Sequence, residues 1–265
     1  MKEVIYARGT IVVKIGGSTL GSNDTTLDDL ALLQKRGFKC VVVHGGGKII
    51  TKWMSKQGLR PRFVRGLRVT DKPSLNIAVA VLAGLVNKNL VASLSDNGSQ
   101  VVGVTGVDGS ILQARIKDPK LGLVGKITHV NSELINTLLD AGYMPVIAPL
   151  AMHVTDGMSD DEQVLNINAD TAAGEIASAI GAEQLIFLTD VEGVLDTSNK
   201  LIPKLTQSQA KGLIYSNVVA GGMIPKLDAC LVALKNGGVA RIVDGRKSHV
   251  LIDSMSDKTM GTYIS

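Results

Sequence analysis

The sequence predicts an α/β protein, a three-layer α/β/α sandwich built on a mainly parallel central sheet. Two observations favour this class. Short apolar runs rich in β-branched residues alternate along the chain with longer segments of 3.6-residue periodicity. The runs are almost continuously apolar, which is typical of strands buried on both faces, as in a parallel sheet covered by helices.

The predicted elements follow one another in regular order. The strands are TIVVKIGG (10–17), KCVVVHGGG (39–47), VVGVTGVDG (101–109), MPVIAPL (144–150), QLIFLTDVEG (184–193) and VARIVDG (239–245). The helices between them are TLDDLALLQKRG (26–37), SLNIAVAVLAGLVNKNLVASLSDNG (74–98), NSELINTLLDAG (131–142) and DTAAGEIASAIGA (170–182). Several of these helices end near glycine, the residue best suited to a helix C-terminus.

Two segments depart from this alternation. The polar stretch ILQARIKDPKLGLVGKITHVN (111–131) predicts a hairpin, and Asp156-Gly157 predicts a turn between two extended pieces. No internal repeat or flexible linker is evident. We therefore expect any domain junction to be a shared helix or a tight crossover between residues 165 and 180.

Composition narrows the class of partner. Aromatic residues make up only 3% of the 265-residue chain, which argues against a base-stacking nucleic-acid surface. The net charge is +4, and the lysines and arginines are scattered. Solvated surface lysines explain much of this charge, and a preference for small anions fits it better than nucleic-acid binding.

Cysteine usage and hydropathy set expectations for location. Cys40 lies in an apolar run and Cys230 in a helical pattern, without metal-ligand spacing, so both are predicted to be buried thiols. The first ten residues lack the apolar core of a signal peptide, and no uninterrupted apolar run approaches the roughly 18 residues of a membrane span. These features predict a cytoplasmic protein that binds no membrane.

Glycines follow the first two predicted strands at the point where each strand ends. These are Gly16-Gly17 and Gly45-Gly46-Gly47. Ligands of open α/β sheets bind at the carboxyl ends of the strands. Bare glycine backbone also lets N–H groups approach an anion, helped by the dipole of a following helix. Tight turns alone would explain one such corner, but two consecutive corners predict a phosphate or carboxylate site.

The triple glycine does not fit the familiar phosphate motifs. A Walker A loop ending at Gly47-Lys48 would require glycine where Val42 stands and Ser or Thr where Ile49 stands. A dinucleotide fingerprint would require glycine where Ile50 stands. The segment therefore predicts an anion cradle of another kind.

Two lysines and an aspartate add charge to this prediction. Lys14 lies inside an apolar strand, where a charge is costly unless it is paired or faces an anion. Lys226 lies at the start of a predicted helix. Its side chain could be a solvated surface lysine, or a nearby anion could offset its unfavourable interaction with the helix dipole. Asp170 also lies at the start of a predicted helix. It could be the N-cap of that helix or belong to the predicted anion site.

Polar side chains suited to a carboxylate substrate occur in two further segments. Asn166 and Asn168 are two apart in an extended stretch and so share one face. Arg68 carries the guanidinium fork that binds a carboxylate through two parallel hydrogen bonds. Its neighbours Arg62 and Arg65 carry the same group, and the spacing does not choose among the three.

Seven stretches together identify a family. They are VVKIGGS (12–18), VVVHGGGKII (41–50), RGLRVTD (65–71), LVNKNL (85–90), NINAD (166–170), LTDVEGVL (188–195) and GGMIPK (221–226). With them, the chain resembles the amino-acid kinase superfamily over nearly its full length. Within the superfamily it is most similar to the N-acetyl-L-glutamate kinases. HGGG with GLRVTD distinguishes it from relatives acting on carrier-bound aminoadipate, carbamate or aspartate.

The resemblance implies roles for individual residues. Lys14 and Lys226 correspond to the family's two lysines that stabilise the transferring phosphoryl group, the second on the nucleotide side. Asp170 corresponds to the acid that holds both lysines. The residues implied to bind the amino acid are Gly46, Gly47, Arg68, Asn166 and Asn168. Those implied to bind the nucleotide are Gly16, Gly17, Asp190, Val191, Glu192, Gly193, Val194, Leu195, Val218, Val219 and Ala220.

The resemblance also implies a reaction, in which MgATP phosphorylates the γ-carboxylate of N-acetyl-L-glutamate in arginine biosynthesis. The attacking carboxylate is already ionised at pH 7 and needs no base, so positioning and electrostatics dominate the catalysis. Mg²⁺ is expected to arrive with the nucleotide and not as a metal held permanently by the protein. No Cys or His nucleophile is required, and His44 is interpreted as a structural hydrogen-bonding residue.

The implied architecture has two lobes. Residues 1–178 would bind the amino acid and form a homodimer, and residues 179–265 would bind ATP. Only ten residues precede IVVK, which leaves little room for the extra N-terminal helix that the resemblance associates with arginine-inhibited hexamers. The C-terminal segment nevertheless resembles the one that forms the inhibitor pocket in sensitive members. An uninhibited dimer is therefore the expectation.

One pair of residues departs from the family pattern. Ser18 and Thr19 stand where Asn-Ala is often found after the family's first glycine pair, which affects only the detail of the phosphate loop.

Three other functions stay open from the residues alone. A sister kinase for an aminoadipate-type substrate differs by one methylene, which discriminates weakly. A catalytically silent nucleotide- or anion-binding module on the same fold would be expected to lose Lys14, Lys226 or Asp170, yet all three are present. A nicotinamide dehydrogenase is disfavoured because the dinucleotide fingerprint is missing.

Overall fold

An eight-stranded sheet forms the central layer of the protein, in the strand order β12-β14-β13-β11-β1-β2-β8-β5. The computed structural model describes residues 9–16, 25–155, 162–256 and 259–265. Its strands are β1 (Thr10–Ile15), β2 (Lys39–His44), β3 (Phe63–Val64), β4 (Leu67–Arg68), β5 (Val101–Thr105), β6 (Leu112–Ile116), β7 (Gly125–Val130), β8 (Met144–Ala148), β9 (Leu150–His153), β10 (Val164–Asn166), β11 (Gln184–Thr189), β12 (Lys204–Leu205), β13 (Val239–Asp244) and β14 (Thr262–Ile264).

Helices follow most strands of the central sheet. They are α1 (Thr26–Lys35), α2 (Gly47–Lys56), α3 (Lys72–Val79), α4 (Asn87–Asp96), α5 (Glu133–Asp140), α6 (Ala169–Ala179), α7 (Gln207–Tyr215), α8 (Met223–Ala233) and α9 (Val250–Ser256). A π-helical segment, Ala80–Val86, joins α3 to α4 without a break. Every predicted helix is present.

The six predicted strands form the parallel core of the sheet. β1 pairs in parallel with β2 and β11, β11 with β13, β2 with β8, and β8 with β5. At one edge β14 runs antiparallel to β13 and parallel to β12. The sheet is therefore mainly parallel, as the sequence predicts.

Two hydrophobic cores lie on opposite faces of this sheet. Alternate residues of one strand belong to different cores: Val12 packs with α5, α6, α7 and α8, whereas Ile11 and Val13 pack with α1, α2, α3, α4 and α9. The near-continuous apolar strands arise because both faces are covered. The three-layer α/β/α sandwich is confirmed.

A second, smaller sheet has the strand order β10-β9-β6-β7. The hairpin predicted for 111–131 is confirmed as the antiparallel pair of β6 and β7. β9 and β10 are also antiparallel. The turn predicted at Asp156-Gly157 between them lies outside the described residues, as does Gly17.

The continuous helix from Lys72 to Asp96 is long and apolar enough, by length and composition, to cross a membrane. It has 25 residues and a mean hydropathy of 1.8 in its most apolar window, 44% of which is buried in the protein. Its residues Ile77, Val81 and Leu90 belong to the core beneath the sheet. One face of this helix therefore packs into the core.

Both cysteines are buried free thiols, which confirms the prediction. Burial raises the pKa of Cys40 to about 12 and also raises that of Cys230. Neither thiol carries the low pKa of a reactive cysteine.

Candidate active site

A cleft of about 220 Å³ opens at the carboxyl ends of β1 and β2, under the β3–β4 hairpin. This is the edge at which the glycine corners predict a ligand. Its lining includes Lys14, Gly45, Gly46, Gly47, Ile50, Phe63, Gly66, Leu67, Arg68, Leu82, Val124, Pro149, Asn166, Ile167, Asn168, Ala169 and Asp170. The structure thus brings together residues predicted from four separate segments.

Asp170 joins both predicted lysines at one end of the cleft. The Nζ of Lys14 lies 2.7 Å from Oδ1 of Asp170, and the Nζ of Lys226 donates to Oδ2 at 2.9 Å. Lys14 and Asp170 are buried, with exposed fractions of 8% and 5%. Three elements, β1, α6 and α8, meet at this carboxylate.

The Asp170 carboxyl stays ionised at this site. Burial alone would raise its pKa, but the charges of Lys14 and Lys226 and their hydrogen bonds outweigh burial and hold the pKa below its ordinary value. Two ammonium groups facing one carboxylate leave a net positive charge next to the cleft. Such a site favours an anionic ligand.

Asn168, and not Asp170, is the N-cap of α6. Its Oδ1 accepts a hydrogen bond from the backbone N–H of Thr171 at 3.0 Å. Asp170 is the second residue of the helix, in the first turn, where the helix dipole favours a negative charge. The N-cap interpretation of Asp170 is therefore wrong, and its side chain instead binds the lysines.

The glycine segment forms the start of α2. Gly46 is the N-cap and Gly47 the first residue of the helix. A Cβ on Gly46 would lie 2.8 Å from Cδ2 of Leu82, whereas a Cβ on Gly47 would meet nothing within 4 Å. A side chain at position 46 would therefore force the end of the buried Leu82 side chain to move. Lys48, which follows, is exposed and does not line the cleft.

Among the three candidate arginines, Arg68 lines the cleft and Arg62 and Arg65 do not. Arg68 is buried, and its Nη2 donates to the backbone oxygen of Gly47 and to Oγ1 of Thr51, both at 2.9 Å. Its guanidinium also lies over the ring of Phe63, 4.7 Å from the centroid. Its Nη1 donates to Sδ of Met54 at 3.2 Å, so the Nε–H and one Nη1 N–H remain for a substrate carboxylate.

Several polar residues at the site are missing from the sequence prediction. Thr70 is fully buried and accepts a hydrogen bond on Oγ1 from Nδ2 of Asn166 at 3.1 Å. Asn87 is fully buried behind the glycine segment and contacts His44. The only sequence signal for Asn87 is that a polar residue interrupts an apolar helical stretch. Helical periodicity alone would place such a residue on the exposed face, so this signal does not reveal its burial.

The predicted nucleotide residues that the structure describes do not line this cleft. Asp190 to Leu195 follow β11, whose Leu188 accepts a hydrogen bond from the N–H of Gly16 at 3.3 Å. Val218 to Ala220 lie just before α8, the helix that carries Lys226. A second cleft, of about 210 Å³, opens past β13 and is lined by Glu192, Leu201, Val243, Asp244, Lys247, Val250, Thr259, Met260 and Gly261. Of the predicted nucleotide residues, the second cleft contains Glu192.

Within residues 9–16, 25–155, 162–256 and 259–265, no group of three or more His, Cys, Asp and Glu side chains is placed to hold a metal ion.

Comparison with known proteins identifies the family. The sequence profile of the Amino acid kinase family matches residues 9–244. The chain belongs to this family, which the resemblance predicts.

Individual relatives are similar over nearly the whole chain. An acetylglutamate kinase of Dehalococcoides mccartyi is 44% identical over 255 residues, covering 96% of this chain and 94% of the relative. Acetylglutamate kinases of Acaryochloris marina and Cereibacter sphaeroides are 43% and 41% identical, each covering 98% of this chain and 93% and 88% of the relative.

Solved structures share the fold. A protein of Streptococcus mutans superposes with a TM-score of 0.82 at 30% identity, covering 98% of this chain and 99% of that one. The N-acetylglutamate synthase of Neisseria gonorrhoeae gives a TM-score of 0.81 at 27% identity, and the match spans 97% of this chain and 59% of that longer one. Carbamate kinase of Giardia lamblia, 18% identical with a TM-score of 0.70, shows the fold alone.

Proposed function

We propose that this protein transfers the γ-phosphoryl group of ATP to the γ-carboxylate of N-acetyl-L-glutamate, forming an acyl phosphate in arginine biosynthesis. The observation that carries the proposal is the pair of lysines on Asp170, at the end of a glycine-lined cleft. The acetylglutamate kinases, 41–44% identical over nearly the full length, support the substrate.

The chemistry requires little from the protein beyond placement and charge. A carboxylate oxygen of the substrate attacks the γ-phosphorus, a new O–P bond forms, and the bond to the β–γ bridging oxygen breaks to release ADP. No proton moves, because the carboxylate is already ionised at neutral pH. The barrier lies in bringing two anions together in line and spreading the transition-state charge, which fixed cations and backbone N–H groups lower.

Each residue has a defined part in this reaction. Lys14, at the end of β1, stabilises the transferring phosphoryl group, and Lys226 stabilises it from the nucleotide side. Asp170 is a positioning residue that holds both ammonium groups. The backbone of Gly46 and Gly47 faces the transferring group and the substrate.

The other end of the cleft recognises the amino acid. Arg68 binds its α-carboxylate, and its own contacts with Gly47 and Thr51 fix the guanidinium plane beforehand. Asn166, held by Thr70, contacts the substrate near its reacting end. Asn168 lines the same wall. A side chain longer by one methylene would press its carboxylate past the lysines, which disfavours an aminoadipate-type substrate only weakly.

ATP enters as its magnesium complex, and Mg²⁺ is held by phosphate oxygens, which it prefers together with water. The nucleotide binds along Gly16, Asp190–Leu195 and Val218–Ala220. We assign residues 1–178 to the amino-acid lobe and residues 179–265 to the nucleotide lobe. In support, among the described residues the first cleft is lined by positions up to Asp170 and the second by positions from Glu192 onward. The protein acts in the cytoplasm as a homodimer, which sedimentation velocity would test.

The experiment is a hydroxamate-trapping assay with MgATP, run in parallel with N-acetyl-L-glutamate, aspartate, carbamate and N-acetyl-aminoadipate. We expect turnover with N-acetyl-L-glutamate to exceed that with the other acceptors. Turnover restricted to another acceptor would reassign the substrate, and binding without turnover would favour a silent binding module. Lys226→Ala should lose rate with little change in amino-acid affinity. Exposed Lys211→Ala is the matched control.

A further inference from the structure

His44 is the last residue of β2 and lies directly before the glycine segment. It is buried, with an exposed fraction of 1%. Its Nδ1 lies 3.0 Å from the backbone oxygen of Gly45, and its Nε2 lies 3.2 Å from Nδ2 of Asn87. A carbonyl oxygen can only accept, so the partners assign the proton to Nδ1. Nε2 is then the acceptor for the Asn87 amide.

The orientation of the Asn87 amide follows from its other partners. Its Nδ2 also lies 2.9 Å from the oxygen of Val146 and 3.3 Å from that of Val104, and its Oδ1 accepts from Nζ of Lys88 at 3.1 Å. The reverse orientation would place oxygen against two carbonyl oxygens. The two hydrogens on Nδ2 serve three acceptors, of which the Val104 oxygen is the most distant, so Asn87 presents a donor to His44 and links residues of β2, β8 and β5.

A π-helical segment brings Asn87 to this position. Ala80–Val86 ends directly before Asn87, and π-helical turns inside α-helices are frequent at functional sites. The same segment supplies Leu82, which lies against Gly46 and lines the cleft. The segment thus contacts Gly46 through Leu82, and the residue that follows it, Asn87, contacts His44.

The bond to Gly45 fixes the direction of the next N–H group. A peptide unit is planar and trans, so its carbonyl oxygen and its N–H point in opposite directions. When Nδ1 of His44 holds the Gly45 oxygen, the N–H of Gly46 in the same peptide unit points away from His44. Gly46 itself lines the cleft.

We propose that His44 and Asn87 are positioning residues that orient the Gly46 N–H toward the transferring phosphoryl group, with Asn87 selecting the His44 tautomer that can hold the Gly45 oxygen. The proposal rests on the proposed function for the identity of the anion. The hydrogen-bond geometry on which it depends does not require that function. Burial lowers the pKa of His44 to about 4, so the imidazole is neutral at pH 7 and keeps an acceptor for Asn87.

Two substitutions separate the two ring nitrogens. Asparagine places an amide donor near the position of Nδ1, and glutamine places its amide near Nε2. His44→Asn is therefore expected to keep the bond to Gly45, and His44→Gln to lose it. We expect His44→Asn to hold kcat within about threefold. We expect His44→Gln to lower kcat by about 10- to 100-fold with both KM values within about threefold, since loss of one oriented donor costs up to 10²–10³ in rate.

Nuclear magnetic resonance tests the geometry without any turnover. In protein labelled with ¹⁵N-histidine, His44 should show a protonated Nδ1 and a bare Nε2 at pH 7. Asn87→Asp replaces the donor with an acceptor and should protonate Nε2. In ¹⁵N-glycine protein, inorganic phosphate should shift the Gly46 amide in the wild type and in His44→Asn, and not in His44→Gln.

Several results would overturn the proposal, and one would reject only the proposed function. The Nε2–H tautomer in the wild type, an unchanged Nε2 in Asn87→Asp, or a Gly46 amide indifferent to phosphate would overturn the proposal. Equal losses of kcat in His44→Asn and His44→Gln would also overturn it, since a merely structural role would not distinguish them. Absence of turnover with every acceptor, with the spectra as expected, would reject the proposed function and leave the positioning geometry supported. Exposed His129→Asn and His129→Gln are the matched controls and should change nothing.

Discussion

Lys14 and Lys226 contact opposite oxygens of one buried carboxylate. Lys14 reaches Oδ1 of Asp170 from β1, and Lys226 reaches Oδ2 from α8. The two ammonium groups carry like charges and would repel each other in a low dielectric without the anion between them. Asp170 therefore determines how far apart the two cations stand, which is the dimension that an in-line phosphoryl transfer must match.

Asp170→Asn is predicted to impair both rate and stability. Removing one partner of a buried ion pair leaves an uncompensated charge, which costs about 3–5 kcal/mol in the free energy of unfolding. We expect kcat to fall by about 10²-fold or more, since mispositioned catalytic groups lose that much. Chemical denaturation and steady-state kinetics measure the two effects.

The matched control is Asp140→Asn. Asp140 also pairs with a lysine, Lys39, at 2.7 Å, but both side chains are exposed. Exposed pairs contribute about 0–1 kcal/mol, so this variant should keep its stability and activity. Equal destabilisation by the two substitutions would contradict the role given to burial at Asp170.

Gly174→Ala is predicted to disturb the same ion pairs from a distance. Gly174 lies in α6 where it touches α8, and a Cβ there would lie 2.6 Å from the backbone oxygen of Ala229. Backbone cannot rotate away, so the helices carrying Asp170 and Lys226 must separate. We expect a loss of about 1–3 kcal/mol in stability, with kcat reduced and KM for N-acetyl-L-glutamate nearly unchanged.

Gly212→Ala gives the contrasting result. Gly212 lies in α7, and a Cβ there would meet nothing within 4 Å. Alanine is the better helix former, so this variant should gain up to about 1 kcal/mol in thermal or chemical denaturation. A stable and fully active Gly174→Ala would refute the close approach of α6 and α8.

Much of the fold was predictable from sequence because burial on both faces leaves a direct trace. The run Val41-Val42-Val43 is apolar throughout since Val41 and Val43 pack in one core and Val42 in the other. Local periodicity does not predict hydrogen bonds between side chains that are far apart in the sequence. The contact of Asn87 with His44 spans 43 residues, and that of Asn166 with Thr70 spans 96.

The site was predictable in part for the same reason. Lys14 and the glycines stand out because they break an apolar pattern. Spacing alone did not choose between Arg68 and Arg65, although the family resemblance did, and the fold shows that the Arg68 guanidinium lines the cleft. The cap at Asn168 was missed because Asn168 and Asp170 are both good N-cap residues, and a shift of two residues in the helix start decides between them.

Arg68→Lys is predicted to weaken binding of the amino acid selectively. A lysine keeps the charge but cannot stack on Phe63 and at the same time bond Gly47 and Thr51. We expect KM for N-acetyl-L-glutamate to rise by about 10- to 100-fold, with KM for ATP nearly unchanged. Initial-rate kinetics with each substrate varied in turn measure this. Exposed Arg65→Lys should leave both constants unchanged, and a comparable rise in both KM values for Arg68→Lys would contradict the assignment.

Stability is predicted to depend on the protonation of His44. Burial is the main reason that the pKa of its imidazole is lowered to about 4; the bond to the Gly45 oxygen acts in the opposite direction, and the nearby charge of Lys88 acts with burial. In the unfolded chain the pKa is near 6.5, so between these values the unfolded state binds more protons. The free energy of unfolding therefore falls as the pH falls from about 6.5 to about 4, by roughly 3 kcal/mol at this one group.

His44→Asn removes this titration, so the stability difference between wild type and variant should be constant above pH 7 and shift toward the variant as the pH falls to about 4. Carboxyl groups titrate alike in both proteins and cancel in the difference. The lowered pKa of Asp170 places its own loss of stability below about pH 4, outside this window, because a depressed carboxyl stabilises the fold at all higher pH. Urea denaturation at half-unit pH steps measures the difference, with His129→Asn as the control. A pH-independent difference would mean that His44 keeps an ordinary pKa and that its burial against Asn87 is wrong.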